Sequence, residues 1–209
     1  MVFTILSVGS VLFPFIIGLT YYCRNNRIQN YFLGFIFFSI LIEITSSTMV
    51  VYGINNHGMF KVFLGCEFLF FTWFYYKVKP YPFWFWFPTI AMMAYLIFET
   101  FNSVYIRFPL FSAGIFFIMI FLYFIFQSIY VLTTLLNDNS PSTNPVFWIA
   151  SARLIYFLCI FSIYSYTSMY DKSFESSLFS DAFTIINGTS NILCNVLFAN
   201  SFLCTKNQI

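Results

Sequence analysis

Seven apolar stretches, separated by short polar or turn-forming segments, run through this chain of 209 residues. They cover approximately residues 3–22, 31–52, 59–77, 82–98, 109–135, 146–166 and 181–203. An α-helix needs roughly 20 apolar residues to cross the hydrocarbon core of a bilayer. The pattern predicts an all-α integral membrane protein, a bundle of about seven transmembrane helices that forms a single polytopic domain over residues 1–209. Pro14 in the first stretch and Pro88 in the fourth predict kinks there.

The chain is poor in charge: only 8% of its residues are charged, whereas 60% are hydrophobic. Soluble globular domains carry about 25% charged residues, so a water-soluble fold of this sequence would lack a polar surface. The net charge is only +2 and no basic cluster appears, which argues against nucleic acid as a partner. The lipid bilayer is therefore the predicted environment.

The distribution of Lys and Arg predicts which end of the bundle faces the cytoplasm, where positive charges accumulate. The first stretch has no basic residue before it and no small-residue cleavage site after it, so it is interpreted as an uncleaved helix. The N-terminus is predicted outside and the C-terminus in the cytoplasm. Cytoplasmic segments then hold Arg24, Arg27, Lys77, Lys79 and Lys206, and outer segments hold Lys61, Arg107 and Lys172.

Three ionisable residues lie well inside the apolar stretches: Glu43, Glu67 and Arg153. At about 1.5 Å per residue they lie roughly 18 Å, roughly 15 Å and roughly 10 Å from the cytoplasmic ends of their helices. A charge inside a membrane normally faces a partner in the bundle, so Glu67 is expected to face Glu43, Arg153 or both. Neutrality of the three groups would require a proton on one glutamate. Two interpretations stay open: a proton- or cation-binding centre, or a structural ion pair with a neutral glutamate beside it.

The seventh helix carries an amide face, because Asn187, Asn191 and Asn195 recur at i, i+4 and i+8. Amides of this kind either hold helices together or line a polar cavity, and both interpretations stay open. Gln127 in the fifth helix and Tyr156, one turn from Arg153, are candidates for the same cavity. The predicted intramembrane polar site comprises Glu43, Glu67, Arg153, Asn187, Asn191, Asn195, Gln127 and Tyr156.

Several types of chemistry are not supported by the sequence. His57 is the single histidine, and the spacing of the five cysteines does not suggest a metal site, so no metal and no cofactor is predicted. The cysteines are interpreted as small apolar residues rather than as a disulfide framework. No nucleophile with a suitable base appears apart from the glutamates, so no catalytic residue is predicted and an enzyme is the least favoured class.

Four phrases carry a resemblance to known proteins: "NNHGMFKVFLGCEFLFF", "FETFNS", "NPVFWIASARLIYF" and "NILCNVLFAN". The matching positions are Asn55, Asn56, Glu67, Phe68, Phe101, Asn102, Ser103, Phe147 and Trp148. Over most of its length the chain resembles small multi-pass membrane proteins of unknown function in Bacteroidota bacteria. The resemblance implies a bacterial inner membrane location and, because many such proteins lie near membrane sensor kinases, a sensory or accessory role. Arg153 departs from the small residue that the resemblance implies in the sixth helix.

Two functions from different classes remain open. The first is a sensory or accessory membrane module, with a polar intramembrane site, that works through a partner such as a membrane sensor kinase or another membrane protein. The alternative is a small transporter or channel that uses buried glutamates as proton or cation sites. The absence of a recognisable internal repeat counts against the transporter.

Overall fold

A computed structural model describes residues 6–7, 9–54, 57–80, 86–101, 113–137, 140–169 and 177–204. These residues form seven α-helices: α1 (Leu12–Thr20), α2 (Arg27–Val51), α3 (His57–Val78), α4 (Trp86–Phe101), α5 (Ala113–Leu135), α6 (Pro145–Met169) and α7 (Ser177–Leu203). A 3-10 turn at Pro141–Thr143 precedes α6. The all-α class and the seven helices are confirmed for the described part of the chain.

Local hydrogen bonds explain where two of these helices begin. The Asn26 side chain accepts the Gln29 amide N–H at 2.8 Å, and the Gln29 side chain accepts the Asn26 amide N–H at 2.8 Å, which is a capping box at the start of α2. Asn144 caps α6 by accepting the Val146 amide N–H at 3.0 Å, with Pro145 at the first helical position. Both starts are therefore encoded locally.

The first predicted helix is interrupted one turn before Pro14. Residues 6, 7 and 9 are helical, the chain turns at 10 and 11, and α1 then extends for nine residues. Proline has no amide N–H for the carbonyl four residues earlier, which belongs to Ser10. That carbonyl accepts the Phe13 N–H at 3.1 Å instead. The expected distortion at Pro14 is therefore present as an interruption of the helix.

The kink expected at Pro88 is a different case. Pro88 lies in the first turn of α4, which begins at Trp86. Amide groups in a first turn have no partner within the helix, so proline removes no hydrogen bond there. The residues before Trp86 that the prediction included, from 82 to 85, lie outside the described part of the chain, so the kink at Pro88 stays a prediction.

The helices pack as a ring. α1 packs on α2 and on α7, α2 packs on α3, α3 packs on α5, α5 packs on α6, and α6 packs on α7. α4 lies against α3. Gly18 permits the close approach of α1, because a Cβ atom at that position would lie 2.6 Å from Leu33 Cδ1 and 3.1 Å from the Phe202 ring.

One end of the ring gathers the starts of α2, α4 and α6 and the ends of α3, α5 and α7. The contacts that define this end are Gln29 with Ser201, Lys79 with Thr134, Tyr76 with Trp86, and Cys204 with Ser142. The basic residues Arg24, Arg27, Lys77 and Lys79 lie at or next to these helix ends. We call it the basic end; consecutive helices from α2 to α7 therefore alternate in direction.

Aromatic side chains fill the interior where α2, α3 and α7 meet. Phe32 is fully buried, and its ring lies 4.8 Å from the Phe198 ring, 5.9 Å from the Phe202 ring and 6.3 Å from the Phe71 ring. Such pairs stabilise by about 0.5–1.5 kcal/mol each beyond the area they bury. The abundance of Phe thus contributes directly to the core.

Two helical segments of the described chain are long and apolar enough to cross a membrane, Arg27–Met49 and Pro145–Ser162. In the 18-residue apolar window of each segment, 28% and 44% of the residues are buried inside the protein, so much of each faces outward. Met119–Leu135 of α5 is a shorter apolar segment, and α1 has only nine residues.

Candidate functional site

The interior of the ring contains an ion pair between α3 and α6. Arg153 Nη1 donates to Glu67 Oε1, and the exposed fractions of the two side chains are 2% and 12%. Removing two charges from water is expensive, and their attraction compensates only when further contacts satisfy both groups. The pair that the depth estimate allowed is therefore present, and the rest of its surroundings decide how it is stabilised.

Three phenylalanine rings surround the guanidinium. Arg153 Cζ lies 3.7 Å from the centre of the Phe71 ring, 4.2 Å from that of Phe157 and 4.4 Å from that of Phe124. These rings come from α3, α6 and α5, and we call them the aromatic box. Ring faces carry negative charge density and attract a cation, most strongly where water is excluded. Sequence reasoning missed the box; its signal was the i+4 spacing from Glu67 to Phe71 and from Arg153 to Phe157.

Part of the hydrogen-bonding capacity of Arg153 is unused by the described protein atoms. Its Nε and Nη2 atoms have no hydrogen-bond partner there, and neither have the hydroxyls of Tyr75 and Ser128. Tyr75 and Ser128 are fully buried. They follow Phe71 and Phe124 by one turn of α3 and α5, so each shares a helix face with one ring of the box.

Gln127 joins a separate set of hydrogen bonds close by. It is fully buried, and its Nε2 donates to Thr72 Oγ1 at 3.1 Å, which ties α5 to α3. The hydroxyls of Tyr123 and Thr89 lie 2.8 Å apart and connect α5 to α4. This predicted site residue therefore holds helices together beside the ion pair.

Glu43 is not part of the pair. It is half-buried on α2, and no hydrogen bond or ion pair joins it to Glu67 or Arg153. Similar depth along two helices does not fix the direction in which each side chain points around its helix axis. The interior pair is therefore one carboxylate with one guanidinium. Tyr156 is half-buried, and its ring packs edge-on against Phe157 of the aromatic box at 5.3 Å.

Two asparagines of α7, Asn191 and Asn195, hold the segment that precedes α1. Asn191 Nδ2 donates to the carbonyl and the hydroxyl of Ser7 at 3.2 and 3.1 Å, and Asn195 Nδ2 donates to Ser10 Oγ at 2.8 Å. Asn187 is half-buried, and its backbone carbonyl accepts a hydrogen bond from the Ser190 hydroxyl at 2.9 Å. These contacts favour the interpretation of the amide face as a helix-packing device.

The chemistry available at the centre is that of a permanent cation, one carboxylate and two hydroxyls. All five cysteines are free thiols. Within the described residues, no three side chains of His, Cys, Asp or Glu come together as a metal site would require. Arg153 can donate further hydrogen bonds there from Nε and Nη2.

Compared with known proteins, the chain matches no protein-family model, no curated protein and no solved structure. The resemblance to small membrane proteins of Bacteroidota bacteria stays a prediction.

Proposed function

We propose that this protein is a multi-pass membrane module, sensory or accessory in role, whose seven helices cross the bilayer and whose interior ion pair acts through a partner protein. In this proposal the N-terminus lies outside a bacterial inner membrane and the C-terminus lies in the cytoplasm. The resemblance in the sequence suggests a membrane sensor kinase as the partner.

Exposed apolar side chains support the membrane location. Large hydrophobic residues face outward on the helices, among them Ile44 on α2, Phe126 on α5 and Ile185 on α7. Contiguous exposed apolar surface on a soluble protein promotes aggregation, whereas lipid chains accept it. The gathering of basic residues at one end of the ring also agrees with the charge rule for cytoplasmic ends.

The observation that carries the proposed role is the ion pair of Glu67 with Arg153. Ionisable groups inside a membrane are expensive and are typical of functional sites. The pair joins α3 to α6, so a change in the charge of Glu67 alters the attraction between two helices. Such a change in charge alters how α3 and α6 pack together, and a protein bound to these helices can respond to the new packing.

The separation of the two glutamates favours this role over the transporter. A proton or cation pathway would use a series of acidic sites through the bundle. Glu43 lies apart from the pair, while Glu67 already has a counter-charge. A single neutralised carboxylate between two helices is better suited to a packing change than to a relay.

The test is purification of the full chain from its native membrane in mild detergent, with quantitative mass spectrometry of retained proteins. We expect a membrane partner in fixed stoichiometry, and we expect Glu67→Gln to alter its retention while Glu43→Gln, the matched control, leaves it unchanged. A chain purified without a partner would overturn the proposal. Proton flux into liposomes that is lost in Glu67→Gln would then assign the transporter instead.

A further inference from the structure

Arg153 has buried N–H groups without an acceptor among the described protein atoms. We propose that Arg153, Tyr75 and Ser128 form a binding site for a small monatomic anion of the chloride class, which enters together with a proton on Glu67. The inference rests on the proposed function, because it assigns a ligand to the same interior site.

The donors supply the first argument. Arg153 Nε and Nη2 and the hydroxyls of Tyr75 and Ser128 are all buried without a hydrogen-bond partner among the described protein atoms. A guanidinium only donates, and a hydroxyl can donate to an acceptor placed before it. Buried polar groups in native proteins are nearly always satisfied, so a group of four on three helices needs an explanation. One acceptor placed between them would satisfy all four.

The positions of these groups supply the second argument. Side chains on a helix lean towards its N-terminus, so Arg153 leans towards the start of α6, at the basic end. Tyr75 and Ser128 lie one turn beyond Phe71 and Phe124 in the same direction, since α3 and α5 both end there. The Tyr75 hydroxyl interacts with the charge of Arg153 and with the Ser128 hydroxyl, so the three groups are close together. The donors therefore converge on the side of the guanidinium that Glu67 does not occupy.

The type of ligand follows from the unpartnered N–H groups of the guanidinium. A water molecule would bring two further donors next to a guanidinium that only donates. An anion only accepts, and the positive charge of Arg153 favours it. The three rings stand 3.7–4.4 Å from the guanidinium carbon and leave little room beside it for a ligand. A monatomic anion suits that space better than a bulky oxyanion does.

Charge balance links the anion to a proton. Arg153 and Glu67 neutralise each other, so an added anion would leave a net negative charge in a buried region. Glu67 is the more exposed partner at 12% and can take up a proton, whereas arginine stays charged. The other titratable groups that face the pair are Tyr75 on α3 and the Cys194 thiol on α7, and both are neutral in acid. Ser128, from α5, does not titrate.

The test measures the thermal unfolding midpoint of the purified full chain in detergent while sodium chloride replaces sodium gluconate at constant ionic strength. We expect a saturable rise with chloride that is larger at pH 5.5 than at pH 7.5, and bromide should replace chloride. The variants Ser128→Ala and Tyr75→Phe should each weaken the apparent chloride affinity at least tenfold. Tyr123→Phe is the matched control, because the Tyr123 hydroxyl already lies 2.8 Å from Thr89 Oγ1. Glu67→Gln should keep the chloride effect and lose its dependence on pH.

Two outcomes would overturn the inference. Identical midpoints in chloride and gluconate would show that no anion binds, and equal chloride effects in wild type, Ser128→Ala and Tyr75→Phe would show an adventitious ion only. Neither result involves a partner protein, so failure here is distinct from failure of the proposed accessory role. Conversely, if the chain binds chloride but purifies without a partner protein, the anion site is supported and the proposed accessory role is overturned.

Discussion

Replacing Arg153 by alanine is expected to reduce the free energy of unfolding by about 3–5 kcal/mol, the usual result of removing one partner from a buried ion pair. The change leaves the carboxylate of Glu67 without its counter-charge. It also removes the side chain that lies 3.7 Å from the Phe71 ring and 4.4 Å from the Phe124 ring, so the aromatic box loses its centre.

Glu67→Gln is expected to be milder, at about 1–2 kcal/mol, the difference between a charged and a neutral acceptor for one hydrogen bond. Glutamine preserves the volume and keeps a carbonyl oxygen in reach of Arg153 Nη1. The guanidinium stays charged, but the three rings continue to stabilise it.

Unfolding in mild detergent, titrated with a denaturing detergent and followed by tryptophan fluorescence, would measure both changes. Arg153→Met is the control for volume, because it fills the box without a charge. Combining it with Glu67→Leu should recover most of the stability, since apolar replacement of both partners is often neutral. The reasoning is refuted when Glu67→Gln destabilises as much as Arg153→Ala, or when Arg153→Met alone equals wild type.

Two further predictions concern the approach of α1 and the placement of the basic end. Gly18→Ala should lower the free energy of unfolding by about 1–2 kcal/mol, because its Cβ would meet Leu33 Cδ1 at 2.6 Å. The control is Gly34→Ala, whose Cβ would have no atom within 4 Å and which should leave the free energy of unfolding unchanged in the same titration. Equal losses of stability in the two variants would contradict the close packing of α1 at Gly18. Cys23 is exposed beside the basic end, so an impermeant maleimide should label it only after cells are permeabilised. Burial raises the pKa of the Cys204 thiol, so Cys204 should react more slowly, and labelling of Cys23 in intact cells would reverse the proposed orientation.

The number of helices could be predicted from the sequence because each apolar stretch ends at a polar or turn-forming segment. The pairing of Glu67 with Arg153 could also be predicted, because the number of residues between each side chain and its helix end gives its depth in the bundle. The exclusion of Glu43 from that pair was not, because depth says nothing about rotation around the helix axis. In this chain apolar residues lie on all sides of α2, so periodicity could not settle its inward face.

Hydrogen-bond partners on helices that are distant in sequence could not be predicted either. Asn191 and Asn195 were recognised as one face, but their acceptors, Ser7 and Ser10, lie 184 and 185 residues away. The aromatic box was not predicted, because the sequence contains 33 phenylalanines and nothing in it singles out Phe71, Phe124 and Phe157. Only the three-dimensional arrangement distinguishes a ring that holds a cation from a ring that fills space.

The contacts between the two ends of the chain also constrain its biosynthesis. Gln29 donates to the Ser201 carbonyl across 172 residues, and α1 packs on α7, which the ribosome makes last. Until α7 is made, Ser7 and Ser10 lack the asparagines that donate to them, and Gly18 has only α2 beside it, so ring closure follows translation rather than accompanying it. A nascent chain stalled before residue 177 would therefore leave the Gln29 side-chain amide without the Ser201 carbonyl that accepts from it in the finished ring.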